Sequence, residues 1–95
     1  MKRLKTIARE NPESLLASDG NGWRPVHEAA RAGRASAVEF LIRKGANVNE
    51  RTNNNKGGNP LWWARQYFQE DHPVIRVLRQ NGAVAEAPEI EVRIF

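Results

Sequence analysis

Ninety-five residues, 40% hydrophobic and 27% charged, make one small domain inside the globular range and away from the disordered corner. With no cysteine the chain has no disulfide framework, no thiolate nucleophile and no cysteine-ligated zinc site. Fifteen Lys and Arg against eleven Asp and Glu give +4 and a pI near 10.1, a footprint shared with nucleic-acid binders, but the basic residues are scattered from Lys2 to Arg93 in the pattern of a solvated surface. No apolar run approaches the roughly 18 residues of a membrane span. The start, Met1-Lys2-Arg3-Leu4, lacks the apolar core of a signal peptide, so a cytoplasmic chain is expected, with the nucleus as the alternative.

Taken in chain order, Pro25 suits a first helical turn, where its missing N–H costs nothing. Ala29, Ala30 and Ala32 make a slim inner helix, and Gly33 ends it. Ser36-Ala37-Val38-Glu39 reads as a capping box opening a second helix, whose Val38, Leu41 and Ile42 fall at i, i+3, i+4 until Gly45 stops it. The run Asn53-Asn54-Asn55-Lys56-Gly57-Gly58 reads as a long, mobile hairpin tip. The grammar then repeats. Asn59 caps and Pro60 starts; Asp71 or His72 caps and Pro73 starts; Val74, Val77 and Leu78 form the stripe; Gly82 stops. After Pro88, Ile90, Val92 and Ile94 alternate with Glu91 and Arg93 as in a strand, unless this end is a disordered tail or linker.

Pro25 and Pro60 lie 35 residues apart, as do Val26 and Leu61, and Ala29 and Ala64. Gly45 and Gly82 are 37 apart. A period in the mid-thirties, with two short helices per unit, indicates a stacked helical repeat. These residues resemble the ankyrin repeat. Asp19, Gly22, Pro25, Val26, His27, Ala29, Ala30 and Gly33 follow its first half, and Val38, Leu41, Gly45, Ala46, Asn47, Val48 and Asn49 its second. Pro60, Leu61, Ala64, Val77, Leu78, Gly82 and Ala83 carry a further unit. The resemblance implies an all-α fold: a short solenoid of helix–turn–helix units with hairpin loops over 1–84, followed by a tail over 85–95. Within it lie a half repeat at 3–18, carrying Leu4, Ile7 and Ala8, and repeats at 19–51 and 52–84.

The departures are local. Arg24 stands where the family has Thr and cannot cap; Trp62 stands at the family's His position, so the usual His bridge is absent there. Two extra residues lengthen the loop Asn47–Asn59 and two more separate the helices around Gln69–His72. Trp62 is expected to pack inward and Trp63 to cover the groove between repeats.

Chemistry is sparse. His27, at the family position, reads as a structural hydrogen-bonding residue, and Glu70-Asp71-His72-Pro73 as a capped helix start rather than a metal site. Ser14, Ser18 and Ser36 have no base at motif spacing, and Gly57-Gly58 is not followed by the Lys-Ser/Thr of a phosphate loop. No catalytic residue, metal ligand or cofactor site is expected. The resemblance implies instead a protein-binding surface made of hairpin tips and the exposed side of the inner helices. Carried over residue by residue, that surface is Asn21, Trp23, Arg31 and Ala32 in one unit, and Asn55, Lys56, Gln66 and Tyr67 in the next. The alternatives are a docking segment of a larger enzyme and, less favoured, a nucleic-acid site using Arg31, Arg34, Arg65 and Lys56. Two and a half repeats without a polar cap also suggest self-association through the stack ends or the C-terminal strand.

Overall fold

The computed structural model describes residues 15–89. Most of the half repeat expected at 3–18, and all of the strand expected from Ile90 to Ile94, lie outside the described residues. Within them the chain forms α1 (Pro25–Arg31), α2 (Ala35–Arg43), α3 (Pro60–Arg65) and α4 (Pro73–Gln80), and contains no strand. The helices pack in a square. α1 lies against α2 and α3, and α4 against α2 and α3, so the inner helices α1 and α3 are neighbours and the outer helices α2 and α4 are neighbours. The result is the short all-α solenoid of paired helices that the repeat pattern predicts. Among the described residues, no helix is long and apolar enough to cross a membrane.

The core lies at the centre of that square. Ala29, Ala30 and Ala64 are small enough to let the two inner helices approach, and Val26 and Leu61 fill the space beside them. The outer helices contribute Val38, Leu41, Val74, Ile75 and Leu78, all fully buried. Truncating Leu41 or Leu61 to Ala would cost about 2–5 kcal/mol, because neighbours on three sides cannot all collapse into the gap.

Helix starts follow local chemistry with one exception. Proline occupies the first turn of α1, α3 and α4. Asn59 Oδ1 accepts from Trp62 N at 3.0 Å, and His72, rather than Asp71, caps α4 by accepting from Val74 N at 3.1 Å. The exception is α2: the capping box expected at Ser36–Glu39 does not form. Gly33 adopts φ 74° and Arg34 N donates back to Ala29 O at 2.9 Å. That turn delivers Arg34 to the cap position, so Ser36 already lies inside the helix.

The two hairpin tips close with the same bond but differ in length. In the first, Asp19 N donates to Trp23 O at 2.7 Å, while Asp19 Oδ1 accepts from Asn21 N and Trp23 N at 2.8 and 3.0 Å. In the second, Thr52 N donates to Gly58 O at 3.1 Å, across two more residues. The excess is wound into a helical turn, Thr52–Asn55, in which Asn53, Asn54 and Asn55 have φ of 50°, 54° and 72°. Asparagine is among the few L-residues that enter this left-handed region routinely. The tip is therefore a hydrogen-bonded turn, not the loose loop expected from composition. Asn53 N donates to Asn21 O of the neighbouring tip at 3.2 Å, and Gly57 N to Thr52 O at 2.8 Å. Gly57 and Gly58 are required by close approach, since a Cβ on Gly57 would sit 1.9 Å from Thr52 Oγ1 and one on Gly58 2.4 Å from the Trp62 ring.

Beyond α4 the chain runs alongside this second hairpin. Asn59 N donates to Glu86 O at 3.2 Å, Val84 N to Asn49 Oδ1 at 3.0 Å, and Glu89 N to Lys56 O at 2.7 Å. Arg51 gathers the same segment. Its guanidinium donates to Gly57 O and Ala87 O and faces Glu86 and Glu89 at 3.7 and 3.8 Å.

Candidate functional site

Both histidines are held in structural bonds. His27 is fully buried on the first turn of α1. Its Nδ1 accepts from Arg24 N at 2.9 Å, which places the ring proton on Nε2, where it donates to Glu50 O at 2.6 Å. The reciprocal half of a cap is missing because a guanidinium has no acceptor. Burial holds the His27 pKa below the ordinary 6.5, against the opposing pull of the Glu50 carbonyl and carboxylate. Arg24 Nε pairs with Glu50 Oε1 at 2.9 Å, and its Nη1 donates to Leu16 O, so one arginine fastens the hairpin to the chain before it. His72 stacks on Phe68 with ring centroids 4.2 Å apart. Among the described residues, no three His, Asp or Glu side chains converge as metal ligands would.

The exposed chemistry is aromatic. Trp23 leaves the first hairpin tip directly before α1, and Trp62 and Trp63 open α3. The Trp23 and Trp63 rings lie 4.6 Å apart at 46°, and Trp62 meets Trp63 edge-on at 4.8 Å. Trp23 also meets His27 edge-on at 5.8 Å. The Arg31 guanidinium lies over Trp23, 5.2 Å from the ring centroid. Trp63 Nε1 donates to Gly58 O at 3.1 Å, which pins the row to the second hairpin. All three indoles are half-buried, so each keeps some surface toward solvent. The inward packing expected for Trp62 is not what the chain does. Leu61 and Ala64 take the inner positions of α3, and Trp62 lies over Gly58, whose missing side chain makes room for it.

Of the residues marked from sequence, Trp23 and Arg31 come together. Asn21 is exposed at the first tip and accepts from Asn53 N. Asn55 and Lys56 are exposed on the second tip; Lys56 lends its carbonyl to Glu89 N. Ala32 is the exposed C-cap of α1. Gln66 Nε2 donates to Trp62 O at 3.0 Å, which ties it to the row. Tyr67 is 60% exposed and sits apart, beside Phe68 at the far end of α3. Phe68 itself rests on Gly33, where a Cβ would come within 2.6 Å of its ring. Trp63 lies against Trp23 of the preceding unit, over the groove where it was expected, while Trp62 was missed as a surface residue. The signal for Trp62 is the Gly57-Gly58 pair just upstream, which leaves room for a large ring.

The family model described as ankyrin repeats, in three copies, matches residues 2–88. Over 80 residues the chain is 31% identical to a Transient receptor potential cation channel subfamily A member 1 homolog of Caenorhabditis elegans, covering 84% of this chain and 6% of that one. Over 49 residues it is 39% identical to Delta-latroinsectotoxin-Lt1a of Latrodectus tredecimguttatus, covering 52% of this chain and 4% of the toxin. The chain thus spans a small part of the curated relatives it matches.

Proposed function

The chain belongs to the ankyrin-repeat family, whose members are in general protein-interaction modules, and from that premise we propose that it binds a protein partner through its hairpin and inner-helix face without performing catalysis. The observation that carries this reading is the half-buried row Trp62–Trp63–Trp23 with Arg31 laid over its end. Trp and Arg are the residue types that most often anchor interfaces, and rings already locked by neighbours lose little entropy on binding. Trp23, Arg31 and Lys56 form the centre of the proposed surface, with Asn21, Ala32, Asn55 and Gln66 around it and Tyr67 at its far margin. Repeats at 19–51 and 52–84, with the partial unit before them, supply that surface. Set in a longer chain, as the small shares of the relatives suggest, the same face would dock a partner for whatever activity the rest performs.

The test is a panel of single substitutions read against any protein or peptide ligand of the chain. Trp23→Ala and Arg31→Gln should each weaken binding by about ten- to hundredfold. Glu39→Gln and Arg43→Gln, both exposed on the outer helix α2, should leave it unchanged. Equal losses on both sides would end the proposal.

A further inference from the structure

Four of the eight arginines in the described segment are committed to carboxylates. Among the described residues, Arg24 pairs with Glu50, Arg51 with Glu86 and Glu89, and Arg65 and Arg79 share Glu70. On the aromatic face two cations make no ion pair with any described residue: Arg31, over Trp23, and Lys56, on the second tip. Neither cation is paired by the acids of the neighbouring stretches of chain: Glu89, beside Lys56, faces Arg51. Asp19 spends its carboxylate on the amides of Asn21 and Trp23, and Glu28, three residues before Arg31, is exposed and makes no ion pair with it. A guanidinium held against an indole without an ion-pair partner keeps its N–H donors for an acceptor, and a carboxylate can take two of them through parallel bonds.

We infer that the partner of this face is an acidic peptide segment, whose carboxylate seats on Arg31 while an adjacent large apolar side chain lies on the Trp23–Trp63 row. This rests on the binding surface proposed above and names its ligand chemistry. A nucleic-acid strand fits less well. Two uncommitted cations on the aromatic face are few for tracking a phosphate backbone, where about six to ten contacts are usual.

The experiment uses the full chain and a phage-displayed library of random dodecapeptides, followed by titration of the selected peptides by tryptophan fluorescence. Selected peptides should be rich in Asp or Glu next to aromatic or large aliphatic residues. Their affinity should fall about ten- to hundredfold in Arg31→Gln, less in Arg31→Lys, and stay unchanged in Arg43→Gln. Glu28→Gln should raise it by about two- to threefold. Arg31 is exposed, so its variants should fold, with circular dichroism as the check, and the test does not depend on Trp23→Ala surviving. Neutral or basic peptides that still need Trp23 and Arg31 would overturn the acidic ligand and leave the surface standing. Acidic peptides indifferent to Trp23 and Arg31 would overturn both. A selection that yields no binding peptide, or an oligothymidylate that binds more tightly than any peptide through Arg31, would also overturn the inference.

Discussion

At the start of α1 the link to the following hairpin is an imidazole; at the start of α3 it is an amide. His27 reaches Glu50 O with Nε2 and steadies Arg24 N with Nδ1. Asn59 donates through Nδ2 to Val84 O and accepts with Oδ1 from both Trp62 N and Glu86 N. Both residues are fully buried, and both satisfy a helix start and the next stretch of chain at once. The task thus belongs to the position in the stack, and two residue types can perform it. One difference persists. The imidazole works only while neutral, whereas the amide has no charged form.

The largest effects should come from deleting either link. Asn59→Ala removes a cap and both bonds to the following segment, and should cost about 3 kcal/mol in urea unfolding followed by tryptophan fluorescence. His27→Ala should cost about 2–4 kcal/mol by the same assay, through two lost bonds and an unfilled space. A loss below about 1 kcal/mol at one site would break the equivalence of the two links.

The next effect separates the two hairpins. Gly57→Ala drives a methyl into Thr52 Oγ1 and should destabilise by about 1–3 kcal/mol, whereas Gly20→Ala in the first hairpin meets nothing within 4 Å and should change stability by less than about 0.5 kcal/mol. Then comes acid. The His27 pKa is lower folded than unfolded, so the unfolded chain takes up the proton first. Stability on this account is complete above pH 6.5, declines as the pH falls below that value, and stops declining at the folded pKa. The urea midpoint should show that slope in the native chain and lose it in His27→Gln, while Asn59→Ala keeps it. Among the disruptive substitutions the smallest loss is expected for Asn54→Ala, about 1 kcal/mol, because alanine tolerates the left-handed turn less well than asparagine.

What could be read from the sequence was what neighbouring residues decide. Pro25, Pro60 and Pro73 mark helix starts, Asn59 announces its own cap, and the stripe Val74, Val77, Leu78 needs only helical spacing to be recognised. The Ser36 capping box failed because the turn at Gly33 fixes which residue arrives at the cap, and local pattern is blind to a one-residue shift. Trp62 and Trp63 are adjacent and chemically alike, so their facing depended on Gly58, which yields space to one of them. The two extra residues of the second tip were countable, but their winding into three left-handed asparagines was not. Least legible was Arg51, whose partner Ala87 lies 36 residues away. On the proposed binding face, residue type singled out Trp23 and Arg31, while the stacking of one over the other is a matter of packing.

Arg51 also decides how a pull on the C-terminal side would travel. Tension arriving at Glu89 meets Lys56 O, the Arg51 contacts with Ala87 and Glu86, and the three bonds of Asn59 before it reaches α4. Those attachments bear on the same hairpin and share the load side by side. Losing one of them leaves the others engaged, so this edge of the stack resists peeling as a seam resists shear, and strain applied there is passed through Gly58 toward the tryptophan row.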